Sequence, residues 1–381
     1  MKNILITKKF VLQLICISCV FALLQCSKSE FSDEEYHSIV QSFDYSSVAF
    51  IARITHNSAD WSLCVTDKSG NNMRKIVDMT VDCQKPVRSH CGTKLFFVAV
   101  EHKYWVDEDN AFRGSSLFEL YIVNIDGTGL TLIDQTTYRS FGSLGWSPDN
   151  KQVFYVKRPF HYEDNSELIF YDISEKTYTV LQTEGNVCSL SFSPDGKQIA
   201  YCTTVENNHR IYKMDINGNN NQLIVSNGAS PKWSPQGDKI VYSTSGKDGS
   251  SQISVANADG SNQKQLTSSV SPKWWDTGFP RDGNSDPQWT SDGKKIVYVS
   301  YENEKSEIFI MNADGSKKTR LTKAEFRDES PEITPDGKYI LFTSVRPDMI
   351  GGVNPGICMM TLDGKNQRVL SKTGIYPIAC K

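Results

Sequence analysis

Apolar and β-branched residues recur along this 381-residue chain in short alternating or near-continuous runs, each cut by a tight polar turn. Such runs predict strands. They fall into two recurring pieces. The first is a turn followed by a strand: WSPDNKQVFYV from 146, FSPDGKQIAYC from 192, WSPQGDKIVYS from 233, WTSDGKKIVYV from 289 and ITPDGKYILFT from 333. The second is a strand, a turn and a strand: LYIVNIDGTGLTLI from 120, IYKMDINGNNNQLI from 211, ISVANADGSNQKQLT from 253, IFIMNADGSKKTRLT from 308 and ICMMTLDGKNQRVL from 357. Asp, Asn and Gly between the runs supply tight-turn chemistry, so each unit reads as a four-stranded meander, A-B-C-D.

Weaker copies extend the series. PVRSHCGTKLFFVAV from 86 matches the first piece, with Cys91-Gly92 at the turn, and LIFYDISEKTYTVL from 168 matches the second. SVAFIARI and SLCVTDKSGNNMRKIV, near the start, supply strands B, C and D without an A. Tyr376-Pro377-Ile378-Ala379-Cys380 aligns with Ser230-Pro231-Lys232-Trp233-Ser234, a lone strand A at the other end. A ring that closes by pairing the two ends removes the open sheet edges that invite aggregation. The predicted fold is all-β, a seven-bladed β-propeller of four-stranded antiparallel meanders closed by the C-terminal strand. Its blades span about 46–79, 84–134, 142–182, 188–226, 229–267, 285–322 and 329–371, with the closing strand at 375–380.

The pattern [WF]SPDG-K-x-[IV]-x-[YF], followed by [IV]-x-x-x-N-x-DG-x-x-x-x-x-L, resembles the TolB-type (PD40, WD40-like) β-propeller repeat over about residues 46–381. The resemblance is confined to the propeller. TolB has six blades and a separate N-terminal domain, whereas a short tether precedes the repeats here. Propellers carry many unrelated functions, so the resemblance implies a fold and a binding scaffold rather than one activity.

The N-terminus departs from the strand pattern. Lys2, Lys8 and Lys9 precede the uncharged run FVLQLICISCVFALLQC, which has the layout of an export signal. LLQC at Cys26, followed by SKSEFSDEE, resembles a bacterial lipoprotein signal, with Gln25 where a small residue is usual and Cys19 as the alternative. The expected organisation is a signal peptide at 1–25, lipidation at Cys26, a tether at 26–45 and the propeller at 46–381. This implies a lipoprotein of the cell envelope, periplasmic or at the outer membrane. Cleavage removes three lysines and no acids, taking the formal charge from −3 to −6. That balance gives no basic surplus for nucleic acid. Seven cysteines follow Cys26, an odd number with no CxxC pair, and most read as small buried strand residues.

Antiparallel meanders put the A–B and C–D turns on one face and the B–C and D–A connections on the other. The first face is uniform; the second holds EHKYWVDEDNAFRGSS at 101–116, KRPFHYEDNSE at 157–167, SVRPDMIGGVNP at 344–355, TTYRSFG at 136–142 and AEFRDES at 324–330. SPKWWDTGF at 271–279 repeats the SPKW of strand A without its turn, and reads as part of a long D–A loop on that variable face. Long loops on a rigid scaffold commonly carry binding sites. The candidate binding residues are therefore Tyr104, Trp105, Trp274 and Trp275 for stacking, with Arg113, Arg281 and Arg327 for polar contacts. The partner is expected to be an envelope protein or a glycan, with the membrane reached through the lipid anchor.

Neither the NADG nor the SPDG turns have the carboxylate spacing of a calcium loop. No GxSxG elbow is present. Seven-bladed oligogalacturonate lyases resemble this repeat class, and they hold a metal with clustered histidines. Here His56, His102, His161 and His209 fall in successive B–C loops, along an arc. No catalytic residue, metal or cofactor is predicted. A lyase-like carbohydrate-active enzyme, with its site in the central cavity, is the alternative.

Overall fold

A computed structural model describes residues 47–380 outside the segments 53–60, 78–79, 81–84, 107–111, 138–140, 158–165, 206–207, 247–249, 269–283, 302–304, 324–326 and 348–352. The predicted signal segment with Cys26, the predicted tether, and the predicted loop with Trp274, Trp275 and Arg281 lie outside these residues.

The strands form seven four-stranded antiparallel sheets. In blades 2 to 7 the first strands are Val87–Arg88, Phe141–Trp146, Asn186–Phe192, Ala229–Trp233, Asn284–Trp289 and Arg327–Ile333, and each opens a sequential meander. Blade 1 differs. Its first strand is Ile375–Cys380, which pairs antiparallel with Ser47–Ala52, placing Ser47 opposite Cys380 and Val48 opposite Ala379. Each first strand contacts the first strands of both neighbouring blades, and the contacts close into a ring. The first strands therefore surround the axis of a seven-bladed propeller.

This stacking explains the near-continuous apolar runs. A strand inside a blade is covered on both faces by its neighbours, so both sets of alternate side chains are buried. In Ser47–Ala52, Ala49 and Ile51 pack with Leu95 and Phe97 of blade 2. Val48 and Phe50, one residue out of phase, pack with Leu341 and Met359 of blade 7. Seven apolar clusters fill the seven interfaces between blades. Tryptophans of the turn-strand motif add polar staples: Trp146 Nε1 donates to the Val87 carbonyl at 3.2 Å, and Trp289 Nε1 to that of Lys232 at 3.1 Å.

The turn residues act as local frames. In the 147–152 turn, Ser147 Oγ donates to Asp149 Oδ1 at 2.6 Å, the Lys151 amide donates to the same oxygen, and the Gln152 amide donates to Ser147 Oγ. Blade 2 keeps the frame with Cys91 in the aspartate's place, its sulfur 3.2 Å from Ser89 Oγ. In the DG turns Asp259 and Asp314 accept from the amide and the hydroxyl of Ser261 and Ser316. Gly260 there has φ +85°, and a Cβ would stand 2.5 Å from the Ile224 carbonyl oxygen. These carboxylates are held by their own turns.

Three segments predicted as loops are strands over their described residues. Lys94–Val106 and Phe112–Asn124 form a hairpin of 13 residues on each side, with Tyr104 opposite Gly114 and Trp105 opposite Arg113. Pairing runs on through the polar rungs Glu101, His102 and Lys103 to Tyr104 and Trp105, because the backbone ladder continues whatever the side chain. Likewise Tyr339–Pro347 and Val353–Thr361 run into the segment predicted as the 344–355 loop. Arg327 is the first residue of its inner strand, paired with Val345, rather than part of the connection before it. Of the six described cysteines, Cys64, Cys202, Cys358 and Cys380 are buried, Cys91 is half-buried and Cys188 is exposed.

Candidate functional site

The meander order sends the B–C and D–A connections to one end of the propeller and the framed turns to the other. The long 94–124 hairpin rises at the loop end, with His102 Nδ1 and Ser116 Oγ 2.8 Å apart along it. Tyr104, Trp105 and Arg113 occupy its upper rungs. Arg327, half-exposed, stands 3.7 Å from Glu329 Oε1 on the inner strand of blade 7. Blades 2 and 7 flank blade 1, so these backbone positions lie on the same side of the ring. Trp274, Trp275 and Arg281 belong to the 269–283 segment outside the described residues.

The roots of that segment are described, and they are tied together. Gln252, Thr267 and Asn284 are each at most 2% exposed. Thr267 Oγ1 donates to Gln252 Oε1 at 2.8 Å, and Asn284 Nδ2 donates to the same oxygen at 3.1 Å. The Ile253 amide donates to Thr267 Oγ1, and Gln252 Nε2 to Ser250 Oγ. One buried amide therefore gathers the chain where it leaves blade 5 and where it enters blade 6. Buried polar networks of this kind fix geometry, because each lost partner strands the other. A comparable tie sits between blades 2 and 3. Tyr155 Oη donates to Asp134 Oδ2 at 3.0 Å, and Lys157 Nζ lies 3.0 Å from the same carboxylate. Burial first, and then Asp134, push the Tyr155 phenol well above its usual value, so it remains a donor.

A charged group at the axis has no counterpart among the predicted residues. Lys85 Nζ of blade 2 pairs with Glu332 Oε2 of blade 7 at 2.9 Å, reaching past the inner strand of blade 1. Arg88 and Lys232 stand close enough to act on Glu332, and Asp286 close enough to act on Lys232. Burial works to raise the Glu332 carboxyl, but Lys85, Arg88 and Lys232 together hold it below its ordinary value. The Lys232 side chain is exposed to solvent. Desolvation by the atoms packed around its ammonium, and then Lys85, press it below its ordinary value, against the pull of Glu332 and Asp286. Three cations thus face two acids around the axis. The repeat carried a signal for them: Lys232 and Glu332 occupy the same position, directly before Trp233 and Ile333. Recognising it required knowing that this position faces the ring's interior.

Similarity to known proteins agrees with this architecture. A TolB protein of the Tol-Pal system from Francisella tularensis is 37% identical over 54 residues, 14% of this chain and 12% of that protein. The matching stretches span at most 20% of the length of the first curated relatives. The solved structure of TolB from Acinetobacter baumannii superposes with a TM-score of 0.51 at 18% identity, covering 91% of this chain and 85% of that one. An oligogalacturonate lyase from Vibrio parahaemolyticus superposes with a TM-score of 0.55 at 14% identity, covering 86% and 87%. At such identities the structural likenesses show the fold alone. The family model of the TolB beta propeller domain (PD40) matches residues 103–377, which is most of the chain. With its repeats, its ring and this match in agreement, the chain belongs to the TolB β-propeller domain family.

Proposed function

We propose that this protein is an exported, lipid-anchored propeller of the cell envelope that binds a partner protein or a glycan through its loop face and performs no chemistry of its own. The contrast between the two faces carries the reading. The turn end repeats one hydrogen-bonded frame from blade to blade, while the loop end departs from it with a long hairpin and a clamped insertion. A scaffold that varies on one side only has a place for recognition there. The similarity to a Tol-Pal system protein supports an envelope setting and a protein partner. Aromatic and Arg residues on the loop side suit stacking and polar contact with either ligand class.

Two measurements test the reading. Cys26→Ala should release the protein from membranes or block its maturation, and a variant that fractionates and migrates like wild type removes the lipid anchor. A soluble form beginning at Ser27 should retain an envelope protein or an oligosaccharide from a defined panel. Retention that persists when the loop-face aromatics are replaced places recognition elsewhere.

The axial charges favour one second reading, a carbohydrate-active enzyme working on an acidic sugar. Lys85, Arg88 and Lys232 would attract a uronate carboxylate into the channel. Incubation with oligogalacturonate separates the readings: an unsaturated product supports the enzyme, and intact substrate with saturable binding supports the scaffold.

A further inference from the structure

Blade 4 holds a second group of side chains that sequence spacing does not connect. Cys188 lies on the inner strand Asn186–Phe192, Cys202 on Gln198–Val205 and His209 on Asn208–Asp215. A bulge falls at Cys188, where the register shifts between Val187 and Ser189. Ser189 pairs with Cys202, and Thr204 pairs with His209. An extra residue in one strand of a pair re-aims its side chain. At this bulge the Cys188 sulfur comes into reach of groups on the two following strands.

The two sulfurs and one imidazole nitrogen lie within 4.8 Å of one another, and this is the metal-ligand cluster found among the described residues. Cys202 Sγ is 3.9 Å from His209 Nδ1. Two ligands of one tetrahedral zinc ion, at Zn–S about 2.3 Å and Zn–N about 2.0 Å, stand about 3.6 Å apart. Small rotations of these side chains close that difference. The surroundings fix Cys188 and His209 through their backbone carbonyls. Ser143 Oγ donates to the Cys188 carbonyl at 2.7 Å, and the Gly228 amide donates to that of His209 at 3.0 Å. Thr204 Oγ1 lies 3.0 Å from Cys188 Sγ and 3.2 Å from His209 Nδ1, placed to support both as a hydrogen-bonding neighbour. Cys202 is fully buried and forms the floor, while Cys188 and His209 are open to solvent at the loop end. An ion could enter without unfolding.

We propose that Cys188, Cys202 and His209 form a three-ligand site for a thiophilic divalent cation, Zn²⁺ by ligand type and geometry, with the fourth position open. Two thiolates and an imidazole exclude the hard, oxygen-seeking cations Ca²⁺ and Mg²⁺. The site is independent of the axial charges and of the lipid anchor. Three protein ligands with a free corner can take a water or a donor group from a bound partner at the recognition face.

The test uses the full chain, reduced and freed of metal, titrated with Zn²⁺ against a chromogenic chelator and separately with Co²⁺. One equivalent of Zn²⁺ should bind, and Co²⁺ should give tetrahedral visible bands with a thiolate-to-metal charge-transfer band. Cys188→Ser and His209→Asn, both at exposed positions, should each weaken Zn²⁺ binding at least about a hundredfold, since even supporting neighbours of a zinc ligand are worth ten- to hundredfold. Their metal-free melting temperatures should match that of the wild type. His209→Asn separates metal binding from a Cys188–Cys202 disulfide, whose formation needs no imidazole. The proposal is overturned if the reduced wild type takes up no Zn²⁺, or if uptake survives both substitutions.

Discussion

At the scale of single residues, the aspartates of the turns show how one side chain can fix a local fold. Asp259 and Asp314 are held below the ordinary carboxylate range first by the hydroxyls of Ser261 and Ser316, and then by the amides of the same residues. Asp363 is held at about 2, first by the Thr361 hydroxyl and then by Lys365. A carboxyl depressed in the folded state stabilises it above the unfolded value of about 3.9, and that contribution vanishes as pH falls through the folded value. Melting temperature should therefore decline steeply between about pH 4 and about pH 2. Asp363→Asn should start lower at pH 6 and lose less over that window. A variant with the same slope as wild type would show that the Asp363 frame contributes nothing to folding. The SPDG and NADG signatures made these roles legible in advance, because an Asx turn is a local device. The axial ion pair was not legible. Lys85 and Glu332 are 247 positions apart, and only the closed ring brings them together.

Among elements, the inner strand of blade 1 has the largest consequence for its size. Ile378, Ala379 and Cys380 are at most 2% exposed, and the strand covers the edge of Ser47–Ala52. Deleting residues 374–381 removes a whole ladder and its apolar contacts, so the cost should reach several kcal/mol, a large part of a typical domain's stability of about 5–15 kcal/mol. Ile378→Ala alone should cost about 2–5 kcal/mol. Chemical denaturation measures both, and a truncated chain that unfolds at the same denaturant concentration as the full one would refute closure as a source of stability. Strand existence was legible from alternation and turn residues, and so was this pairing, since Tyr376-Pro377 matches Ser230-Pro231. Strand ends were less so. The 94–124 hairpin continues through polar residues such as Glu101, His102 and Lys103, where pattern alone suggested a loop. Glu101 and His102 are exposed, so hydrogen bonding across the hairpin, rather than burial, carries their rungs.

For the molecule as a whole, the two ends of the propeller should respond differently to substitution. Trp275→Ala, in the segment predicted from sequence to lie on the loop face, should weaken binding of an identified ligand about tenfold or more with little change in melting temperature. Asp259→Ala, in a turn frame at the opposite end, should lower the melting temperature and leave affinity of the folded protein unchanged. Binding that follows only the folded fraction in both variants would make the Trp274–Trp275 pair a structural lid. The clamp of Gln252, Thr267 and Asn284 sets the expectation, because it fixes both roots of the segment whatever its middle does.

The repeat determined the fold. A meander whose strands are apolar on both faces can be satisfied only by neighbours on both sides, and a missing first strand at one terminus with a spare one at the other leaves closure as the economical solution. The candidate chemistry depended on tertiary structure. Charges on blades 2, 5, 6 and 7 converge because the inner strands share an axis. Cys188 reaches Cys202 and His209 because one bulge turns its side chain toward the next two strands. Neither a ring's interior nor a bulge's direction is written in the spacing of residues. Both follow from how the strands pair.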